Sequence, residues 1–416
     1  MKSNFGREWW FFLRDRQGLA TVAASALLAV VTVAFGLNDV ATQRADIASL
    51  SADTITDLED VLPQQGDAGS AAYYSFRLVV DPPSELAFAA RGVRDQLPWK
   101  HRIRLLALEG QVYEHDAGNP ELGQIGRIDY AFLISVLAPL LVILLLHDIV
   151  DVERRHKRLD LLVATTGRST RFILWRAGLR ASALVLALIV PFIAAGLWSG
   201  AAPGAVLGLA LLSGIYVIGW SGAATWIAEK TRSAATSASV MLGIWAVLVL
   251  IIPLAGGALA ERRIEVPQGG EILLQQRETV NRAWDLPKAD TMTAFFASHP
   301  ELQDYTPTRD GFEWEWYYAF QHVGDVSVRG LSDALRKGIR ERDSFMHKVS
   351  LLSPPLLIDR QFTRAAETDI TAFQAYDQCV RDFHKSLRVA HYPMLFNQTT
   401  FDPEKLLALD STRVCL

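Results

Sequence analysis

Hydrophobic residues are concentrated in five long runs that contain no Asp, Glu, Lys or Arg. These runs are Leu19–Leu37, Tyr130–Leu146, Ala181–Ser199, Gly204–Ala228 and Ser233–Ala260. The hydrocarbon core of a bilayer is about 30 Å thick, and a helix needs roughly 20 residues to cross it. Backbone amides in lipid must bond within their own segment, so each run is predicted to be a transmembrane helix. Their length and number do not fit the buried helices of a soluble core.

Lysine and arginine are clustered on alternate connections between the runs. They are Lys2, Arg7, Arg14 and Arg16 before the first run, then Arg154, Arg155, Lys157, Arg158, Arg168, Arg171 and Arg176 after the second, and Lys230 and Arg232 after the fourth. The connection Gly200–Pro203 has none. Short connections rich in Lys and Arg stay in the cytoplasm. We therefore predict that the N-terminus is inside and that residues 38–128 and 261–416 are outside.

These boundaries predict an α-helical polytopic membrane protein with five transmembrane helices. The predicted parts are an interfacial helix (1–18), transmembrane helix 1 (19–37), a first extracytoplasmic domain (38–128), transmembrane helix 2 (129–146), a cytoplasmic coupling element (147–178), transmembrane helices 3–5 (179–260) and a second extracytoplasmic domain (261–416). No small-residue cleavage motif follows the first run, so we expect it to be a retained anchor rather than a signal peptide.

An aromatic, charged segment precedes the first run. Its characteristic residues are Glu8, Trp9, Phe12, Arg14 and Arg16. A helix of this composition lies in the membrane interface with its rings at headgroup depth. The segment could instead be the start of the first span. A separate interfacial helix is favoured because Arg14, Asp15 and Arg16 interrupt the apolar run and Gly18 permits a bend.

The two polar segments have different patterns. In the first, helical spacing from Ile47 to Val61 predicts that the first span continues outward as an amphipathic helix. Strands are predicted over Tyr74–Val80 and Ile103–Tyr113, with a helix over Ser84–Gln96 between them, which makes a small α+β domain. The second segment is predicted to be mainly helical. Its helices are Glu271–Ala283, Trp314–Val323, Ser332–Val349 and Thr368–Val389.

Several classes of chemistry are missing from the sequence. The net charge of −4 gives no basic face for nucleic acid. There is no GxxxxGK[ST] phosphate loop, dinucleotide fingerprint, HExxH or CxxC motif. Ion-driven carriers usually have ionisable residues near the middle of their spans, and none of the apolar runs has one there. The chain itself is therefore expected to be no enzyme and to bind no cofactor or metal, and energy for transport would come from a partner.

The two cysteines, Cys379 and Cys415, both lie in the second polar segment. They would pair in an oxidising compartment or remain free, since sequence does not place their Cα atoms within bridging distance. Cys379, His384 and His391 do not fit a metal site, because Cys379 and His384 are five residues apart and would point to different faces of a helix.

The densest polar segment on the inner side is Asp148–Arg176. It combines many charges with a short apolar stretch around Leu161. A solvated loop does not need this combination, whereas a docking surface for a cytoplasmic partner does, because apolar residues bury area and charges fix the register.

The same segment resembles a known family. Glu153–Arg171 (ERRHKRLDLLVATTGRSTR) is similar to the coupling element of type-2 ABC-transporter permeases, and Glu8–Leu19 (EWWFFLRDRQGL) is similar to their interfacial elbow helix. Further similarities point to a bacterial subgroup with large extracytoplasmic insertions, related to gliding-motility and copper-enzyme-maturation permeases. They lie in Pro82–Pro98, Ile128–Pro139, Phe295–Leu302, Leu352–Leu357 and Glu367–Asp369.

The resemblance implies a function and partners. A separate cytoplasmic ABC ATPase subunit, which binds ATP and Mg, would contact the coupling element. The residues that match it are Glu153, Arg154, Arg155, Lys157, Arg158, Leu161, Leu162, Gly167 and Arg168. A second permease chain, identical or related, would complete the path. The chain departs from the family pattern around Leu159–Asp160 and Thr166–Gly167. The family's sixth span also has no counterpart before Leu416, so either the C-terminus stays outside, the chain is shorter than its relatives, or another subunit supplies that helix.

We therefore expect a multi-pass permease subunit of an ATP-driven exporter in the bacterial cytoplasmic (inner) membrane. One alternative is a permease that transmits mechanical work to periplasmic partners and carries no substrate across. The other is a membrane-anchored periplasmic enzyme, which is disfavoured because no catalytic pattern occurs in the outer segments. The sequence does not identify the substrate.

Overall fold

The computed structural model describes residues 2–113, 128–155, 169–305, 311–396 and 399–415, and it is mostly helical. Within these ranges, five helices are long and apolar enough to cross a membrane. They cover Arg16–Gln64, Tyr130–Arg155, Phe172–Trp198, Pro203–Lys230 and Ala234–Arg263. Each coincides with one of the five apolar runs, so pattern and structure agree on a helical chain with several segments suited to lipid.

The N-terminal helix α1 (Lys2–Arg14) is separate from the long helix α2 (Arg16–Val61). The break lies at Asp15, whose φ of −81° and ψ of 93° are not helical, rather than at Gly18. The Asp15 carboxylate accepts a hydrogen bond of 3.1 Å from the Gly18 amide. This cap satisfies one of the amides that every helix start leaves unpaired. The predicted separate N-terminal helix is thus present, with an aspartate cap as its boundary.

Helix α2 has 46 residues and extends far beyond its apolar run. Near its C-terminal end Leu58 packs with Leu62, Ala71 and Leu406 in a small core. The amphipathic extension predicted from the spacing of Ile47 to Val61 is confirmed. One continuous helix therefore connects the first apolar run with the polar part of the protein.

The remaining spans run alternately between two ends of a helix bundle. Helix α5 is continuous over Tyr130–Phe132, a π-helical turn Leu133–Leu137 and Ala138–Leu146. It is followed by α6 (Asp151–Arg155), α7 (Ser169–Trp198) and α8 (Pro203–Lys230). Helix α9 again has three pieces: Ala234–Ala246, a π-helical turn Val247–Ile251 and Ile252–Arg263. We call the end with α1, α6 and the α8–α9 turn the basic end, and the opposite end the sheet end.

Both π-helical turns are followed by a proline, Pro139 in α5 and Pro253 in α9. A proline has no amide to donate, so carbonyls of the preceding turn lose their helical partner. Side chains of other spans supply donors beside Pro139: the Tyr216 hydroxyl bonds the Ser135 carbonyl at 2.7 Å, and the Trp245 indole bonds the Val136 carbonyl at 3.0 Å. These bonds fasten α8 and α9 to the irregular part of α5.

The sheet end carries a three-stranded sheet. Its strands are β1 (Arg77–Val80), β2 (Lys100–Ile103) and β3 (Thr412–Val414), in the order β2-β1-β3. β1 is antiparallel to β2 and parallel to β3, with Leu78 opposite Thr412. The sheet therefore unites the first polar segment with the last residues of the second.

Two predictions for the first polar segment are wrong. In the predicted strand Ile103–Tyr113 only Ile103 belongs to β2, while Leu108–Tyr113 form the helix α4. The predicted helix Ser84–Gln96 is replaced by turns and a short 3-10 helix, Gly92–Asp95. The turns bury Phe88 against α2 at Gly36, where a Cβ atom would overlap the Phe88 carbonyl. Packing on a span thus overrides the local helical pattern.

The first strand is also shorter than predicted, because residues Ala68–Tyr74 form the helix α3. The second polar segment is helical, as predicted. Its helices are α10 (Gly269–Ala283), α11 (Lys288–Phe296), α12 (Trp314–Ser350), α13 (Pro354–Ala365), α14 (Ile370–Leu395) and α15 (Pro403–Leu407). The two predicted helices Trp314–Val323 and Ser332–Val349 are one helix, α12. No helix was predicted over α13.

Two large cores organise these elements. The first joins the spans and includes Phe88 of the first polar segment and Phe362 of the second. The second combines Val79 and Ile103 with Phe295 and Val380. The polar segments therefore form one composite unit, where the sequence predicts two domains. An amphipathic pattern reveals that a segment has an apolar face, but not which other segment covers it.

Candidate functional site

The predicted coupling element begins in the short helix α6 at the basic end. Glu153, Arg154 and Arg155 lie in this helix. The other residues predicted for the element, Lys157, Arg158, Leu161, Leu162, Gly167 and Arg168, lie outside the described residues. The geometry of the site therefore rests on α6 and the elements around it.

Glu153 is buried in an ion-pair network. Its carboxylate lies 2.7 Å from the Arg176 guanidinium, which also lies 3.1 Å from the carboxylate of Glu8. The three side chains are only 6–16 % exposed. Charges at such depth are costly unless they are paired with good geometry. The network thus holds α1, α6 and α7 together.

Arg154 connects α6 to the turn between α8 and α9. Its guanidinium donates to the Glu229 carbonyl at 2.9 Å and also to the Thr231 carbonyl. Carbonyls at the end of a helix have no partner in the helix itself, and a cation there also interacts favourably with the helix dipole. Arg154 therefore caps α8 and fixes its position relative to α6.

Asp151 caps the start of α9, as Arg154 caps the end of α8. Its carboxylate accepts a hydrogen bond of 3.1 Å from the Ala234 amide and lies 2.6 Å from the Arg155 guanidinium. The Arg155 side chain is 67 % exposed. Of the three predicted coupling residues in α6, only Arg155 is thus presented to solvent, while Glu153 and Arg154 bind other parts of this chain.

A second basic residue of α7 extends the network. Arg180 pairs with Asp15 at 2.7 Å, donates to the Leu145 carbonyl at 2.9 Å and lies 3.9 Å from Asp148. A cavity of about 250 Å³ lies between α1, the start of α2, the end of α5 and α7, bordered by these ion pairs. The N-terminal helix, the first three spans and the α8–α9 turn therefore meet within a few ångströms of α6.

The predicted interfacial residues divide into two groups. Glu8 and Phe12 are buried against the bundle, whereas Trp9, Arg14 and Arg16 are exposed. The sequence prediction missed Asp15, Asp148, Asp151, Arg176 and Arg180 as network members. Arg176 and Arg180 are four residues apart and so share one face of a helix. This spacing is the one sequence pattern that could have indicated the network. Their carboxylate partners, Glu8, Asp15, Asp148 and Glu153, come from other parts of the chain and have no sequence signature.

At the sheet end, a larger cavity of about 1360 Å³ lies between the middle of α2, residues 87–99, the start of α5, and helices α12 and α13. Charged side chains bridge its walls. Arg91 pairs with Asp39 and with Asp95, Arg94 pairs with Asp81, and Arg360 lies 2.9 Å from Asp343. Asp129 also contributes, accepting a hydrogen bond of 2.9 Å from the Arg91 amide. The cavity is therefore a polar chamber at the mouth of the bundle.

An aromatic cluster packs beside this chamber, among the spans. Tyr130 stacks on Phe192 with a centroid distance of 4.8 Å, and Phe362 contacts both rings edge-on. Phe88 lies 5.9 Å from Phe192. The Tyr130 hydroxyl donates to the Leu188 carbonyl in α7, close to Pro191. These rings join α5, α7 and α13 into one apolar layer.

The two cysteines are joined as a disulfide in the structure. Their Cα atoms are 6.0 Å apart, and the bond links α14 to the residue after β3. The Cys415 amide also donates to the Val80 carbonyl at 2.9 Å, which extends the pairing of β3 with β1. The C-terminal strand is therefore fixed to the composite unit by a covalent bond and by the sheet.

The histidines near Cys379 have structural contacts instead of a shared ligand geometry. His384 Nε2 lies 2.8 Å from the Leu106 carbonyl, and His391 Nδ1 lies 2.8 Å from the Leu387 carbonyl. Burial lowers the pKa of His384 to about 3 and that of His391 to about 4. In the described ranges, no group of three or more His, Cys, Asp or Glu side chains has an arrangement that could hold a metal ion.

One Ser–His pair in the composite unit has the spacing of a catalytic pair but not its proton arrangement. Ser298 Oγ lies 3.0 Å from His322 Nε2, while His322 Nδ1 accepts a bond of 2.6 Å from Arg388. Arginine can only donate, so Nδ1 is unprotonated and Nε2 carries the hydrogen. A general base needs its lone pair directed at the nucleophile. This tautomer directs a proton at Ser298 instead, and burial together with Arg388 lowers the pKa of His322 to about 3.

Comparison with known proteins adds one match. Residues 270–411 match a family described as "Domain of unknown function (DUF3526)". The match covers most of the second polar segment and none of the five candidate spans. No curated protein and no solved structure matches the chain.

Proposed function

We propose that this chain is the permease subunit of an ATP-driven exporter in the bacterial cytoplasmic membrane. A separate ABC ATPase subunit, which binds ATP and Mg, would dock at the basic end around Arg155, α1 and residues 156–168. The spans would respond to its nucleotide state, which requires each state of the ATPase to favour a different arrangement of the permease.

The observation that carries this proposal is the convergence of ion pairs on α6. Glu153 links to α1 and α7, and Arg154 and Asp151 link to the end of α8 and the start of α9. A force applied at this point would be transmitted to α1, α7, α8 and α9 through short polar contacts. Such rigid connections suit a surface that receives work from a partner better than they suit a solvated loop.

Two independent features support the orientation that we propose. The arginine-rich connections share one end, which the positive-inside rule assigns to the cytoplasm. The disulfide Cys379–Cys415 lies in the polar unit at the opposite side of the spans, and disulfides persist in oxidising compartments. We therefore propose that the N-terminus lies inside and that residues 38–128 and 261–416 lie outside.

A second permease chain, identical or related, is part of the proposal. Helix α9 buries few of its residues, among them Ser237, Met241, Gly256 and Ala260. Its apolar surface is left for lipid or for another permease subunit. Two copies of the bundle would provide the two halves of a translocation path.

Co-purification tests the docking site. We expect a stoichiometric ATPase subunit to accompany the detergent-solubilised chain and to be lost from Arg155→Glu. The matched control is Arg44→Glu, because Arg44 is also an exposed arginine in a single ion pair (with Glu85, at 2.6 Å) but belongs to the sheet end. The proposal is contradicted if no ATPase subunit co-purifies with the unaltered chain, or if both variants lose the subunit to the same extent.

Mechanotransmission to a periplasmic partner is the second candidate function. It is favoured by the composite unit, whose parts are joined by the β1–β3 pairing and by the disulfide and which offers a large surface to a partner. Inverted vesicles that contain the permease and its ATPase separate the two functions. ATP-dependent accumulation of substrate supports export, whereas ATPase activity that depends on a periplasmic partner, without accumulation, supports mechanotransmission.

A further inference from the structure

The large chamber at the sheet end is lined by two kinds of charged side chain. The first kind forms ion pairs that join the chamber walls, such as Arg91 with Asp39 and Arg360 with Asp343. The second kind has no ion pair and no side-chain hydrogen bond to any described residue. Its members are Asp46, Lys348, Asp359 and Arg364. The paired groups hold the walls together, whereas the second group is available to a ligand.

Asp359 is the least exposed member of this second group. It is half-buried on α13, whereas the side chains of Lys348 and Arg364 are exposed. Burial, followed by the neighbouring carboxylate of Asp129, raises the pKa of Asp359 to about 6. The adjacent Arg360 is already engaged in its own ion pair. A half-buried carboxylate is therefore left without a cation, and such a charge is costly until a partner reaches it.

The two cations of the second group lie on the same helix as Asp359 and on the helix beside it. Arg364 follows Asp359 by five residues on α13, about 7.5 Å farther along the helix axis. Lys348 belongs to α12, which is joined to α13 by the ion pair of Asp343 and Arg360 at 2.9 Å. These two helices thus present one carboxylate and two cations to the chamber, at separate points.

The size of the chamber suits a short, extended molecule. Its volume is about 1360 Å³, above the range of about 300–1000 Å³ that is usual for small-molecule sites. One wall follows α2 from Gly36 to Asp46, a length of about 15 Å. An extended peptide covers at most about 3.3–3.6 Å per residue, so about four or five residues match this length. Hydroxyl and amide side chains that can bond peptide groups also line the chamber, among them Ser344, Gln361 and Thr371.

We propose that the chamber binds short hydrophilic peptides by their charged ends. The terminal amine is held by Asp359, and the terminal carboxylate is held by Lys348 and Arg364. Capture of a free peptide end is a recurring mode of recognition, and arginine can form two parallel hydrogen bonds with a carboxylate. A ligand with charges of only one sign would leave either Asp359 or the two cations without a partner. As a statement about the substrate, this inference rests on the proposed export function.

Binding is measured on the full-length chain in detergent, without an ATPase subunit. The ligands are trialanine, tetraalanine and pentaalanine, each with free ends, with an acetylated amine or with an amidated carboxylate. A ligand that binds the folded state raises the unfolding temperature as its concentration increases, which gives the Kd. We expect free peptides to bind, and each blocking group to weaken binding by about 10- to 100-fold, because it removes a hydrogen bond between charged groups.

The blocked peptides test the proposal on the unaltered protein. If no free peptide binds, or if free and blocked peptides bind equally, the proposal is overturned. Neither result depends on whether a variant folds.

Substitutions then assign the two ends of the peptide. Asp359→Asn should weaken binding of the free peptide, and acetylation should have little further effect in this variant. The double variant Lys348→Gln, Arg364→Gln should respond in the same way to amidation. Asp53→Asn and Lys385→Gln are the matched controls, because both residues are exposed, have no ion pair with a described residue and do not line the chamber. If acetylation weakens binding as much in Asp359→Asn as in the unaltered chain, the amine is bound elsewhere and the proposal is wrong.

Failure of this inference and failure of the export function give different results. Peptide binding without ATP-dependent accumulation of the peptide in inverted vesicles would support the chamber site and contradict export. An ATPase subunit that co-purifies with a chain that binds no free peptide would overturn only the inference about the chamber.

Discussion

Ser353 completes the hydrogen bonding of Leu248, 105 residues away in the chain. In the π-helical turn of α9 the Ile252 amide bonds the Val247 carbonyl, a spacing of five residues. The next amide of that series would belong to residue 253, which is proline. Pro253 therefore leaves the Leu248 carbonyl without a helical partner, and the Ser353 hydroxyl takes its place.

This relationship predicts an interaction between two substitutions. Ser353→Ala should lower the free energy of unfolding by about 1–3 kcal/mol, because a buried carbonyl loses its donor and α13 loses its cap. In a Pro253→Ala background the restored amide can bond Leu248, so the cost of Ser353→Ala should be smaller. Thermal unfolding of the four proteins in detergent gives the coupling energy. An equal cost in both backgrounds would show that Pro253 and Ser353 are independent.

Arg176 should be far more important for stability than Arg155. Arg176→Ala leaves two buried carboxylates, Glu8 and Glu153, without their shared cation, and we expect a loss of about 3–5 kcal/mol. Arg155→Ala removes a mostly exposed ion pair with Asp151 and should cost less than about 1 kcal/mol. Chemical denaturation of both variants in the same detergent measures the difference. Comparable losses would mean that the Glu8–Arg176–Glu153 network contributes little.

Gly36 is predicted to tolerate no side chain. A Cβ atom there would overlap the Phe88 carbonyl, so Gly36→Ala must displace the buried turn from α2, at a cost of about 1–3 kcal/mol. Gly208→Ala in α8 is the matched control, since a Cβ at that position meets nothing within 4 Å. Melting temperatures of the two variants provide the comparison. If Gly208→Ala is the more damaging change, the close approach of the turn to α2 is not as described.

The buried histidines predict that stability falls at acidic pH. Burial lowers the pKa of His322 and His384 to about 3 and that of His391 to about 4. In the unfolded chain each would titrate near its ordinary pKa of about 6.5. The unfolded state therefore binds more protons between pH 6.5 and 4, and the stability present above pH 6.5 is lost as the pH falls.

His384→Gln should reduce this pH dependence by about one proton, or roughly 1.4 kcal/mol per pH unit below pH 6. The glutamine amide can still donate to the Leu106 carbonyl. His347→Gln is the control, because His347 is exposed. Unfolding free energies measured from pH 4.5 to 7 give both slopes. An unchanged slope in His384→Gln, or a changed slope in His347→Gln, would contradict the assignment of the effect to buried neutral histidines.

Reduction of the disulfide should loosen the edge of the sheet. The bond closes a loop of 36 residues, and its loss is expected to cost about 2–4 kcal/mol. Hydrogen exchange should show which part of the sheet is loosened. The Leu78 amide, which bonds the Ser411 carbonyl at 3.0 Å, should lose protection on addition of reductant. The amides that join β1 to β2 should change less. Uniform loss of protection across the sheet would show that the disulfide stabilises the whole unit and not the C-terminal strand.

The pattern of the sequence determined the membrane-related part of the fold. A charge-free run of about 20 residues has one stable arrangement in lipid, because each helix satisfies its own backbone. The predicted bundle, the separate helix before Asp15 and the extension of α2 to Val61 depend on such local physics. They could be predicted without knowledge of their neighbours.

Only part of the candidate site could be predicted from such local patterns. The sequence identified the charged segment that contains α6 and predicted Glu153, Arg154 and Arg155 as coupling residues. Charge alone does not reveal whether a charged side chain also has a partner within the same chain. The partners of Glu153 and Arg154, namely Arg176 and the carbonyls of Glu229 and Thr231, come from other elements. Only Arg155 retains the exposure that a docking residue needs.

Contacts between distant segments were decided by tertiary structure alone. The parallel pairing of β3 with β1 joins residues more than three hundred positions apart, and α13 enters the bundle although its sequence is too short and too polar to be recognised as a span. Local periodicity records which face of an element is apolar. Which surface covers that face depends on how all elements pack together, and here that packing placed Phe362 among the spans and Cys415 beside the first strand.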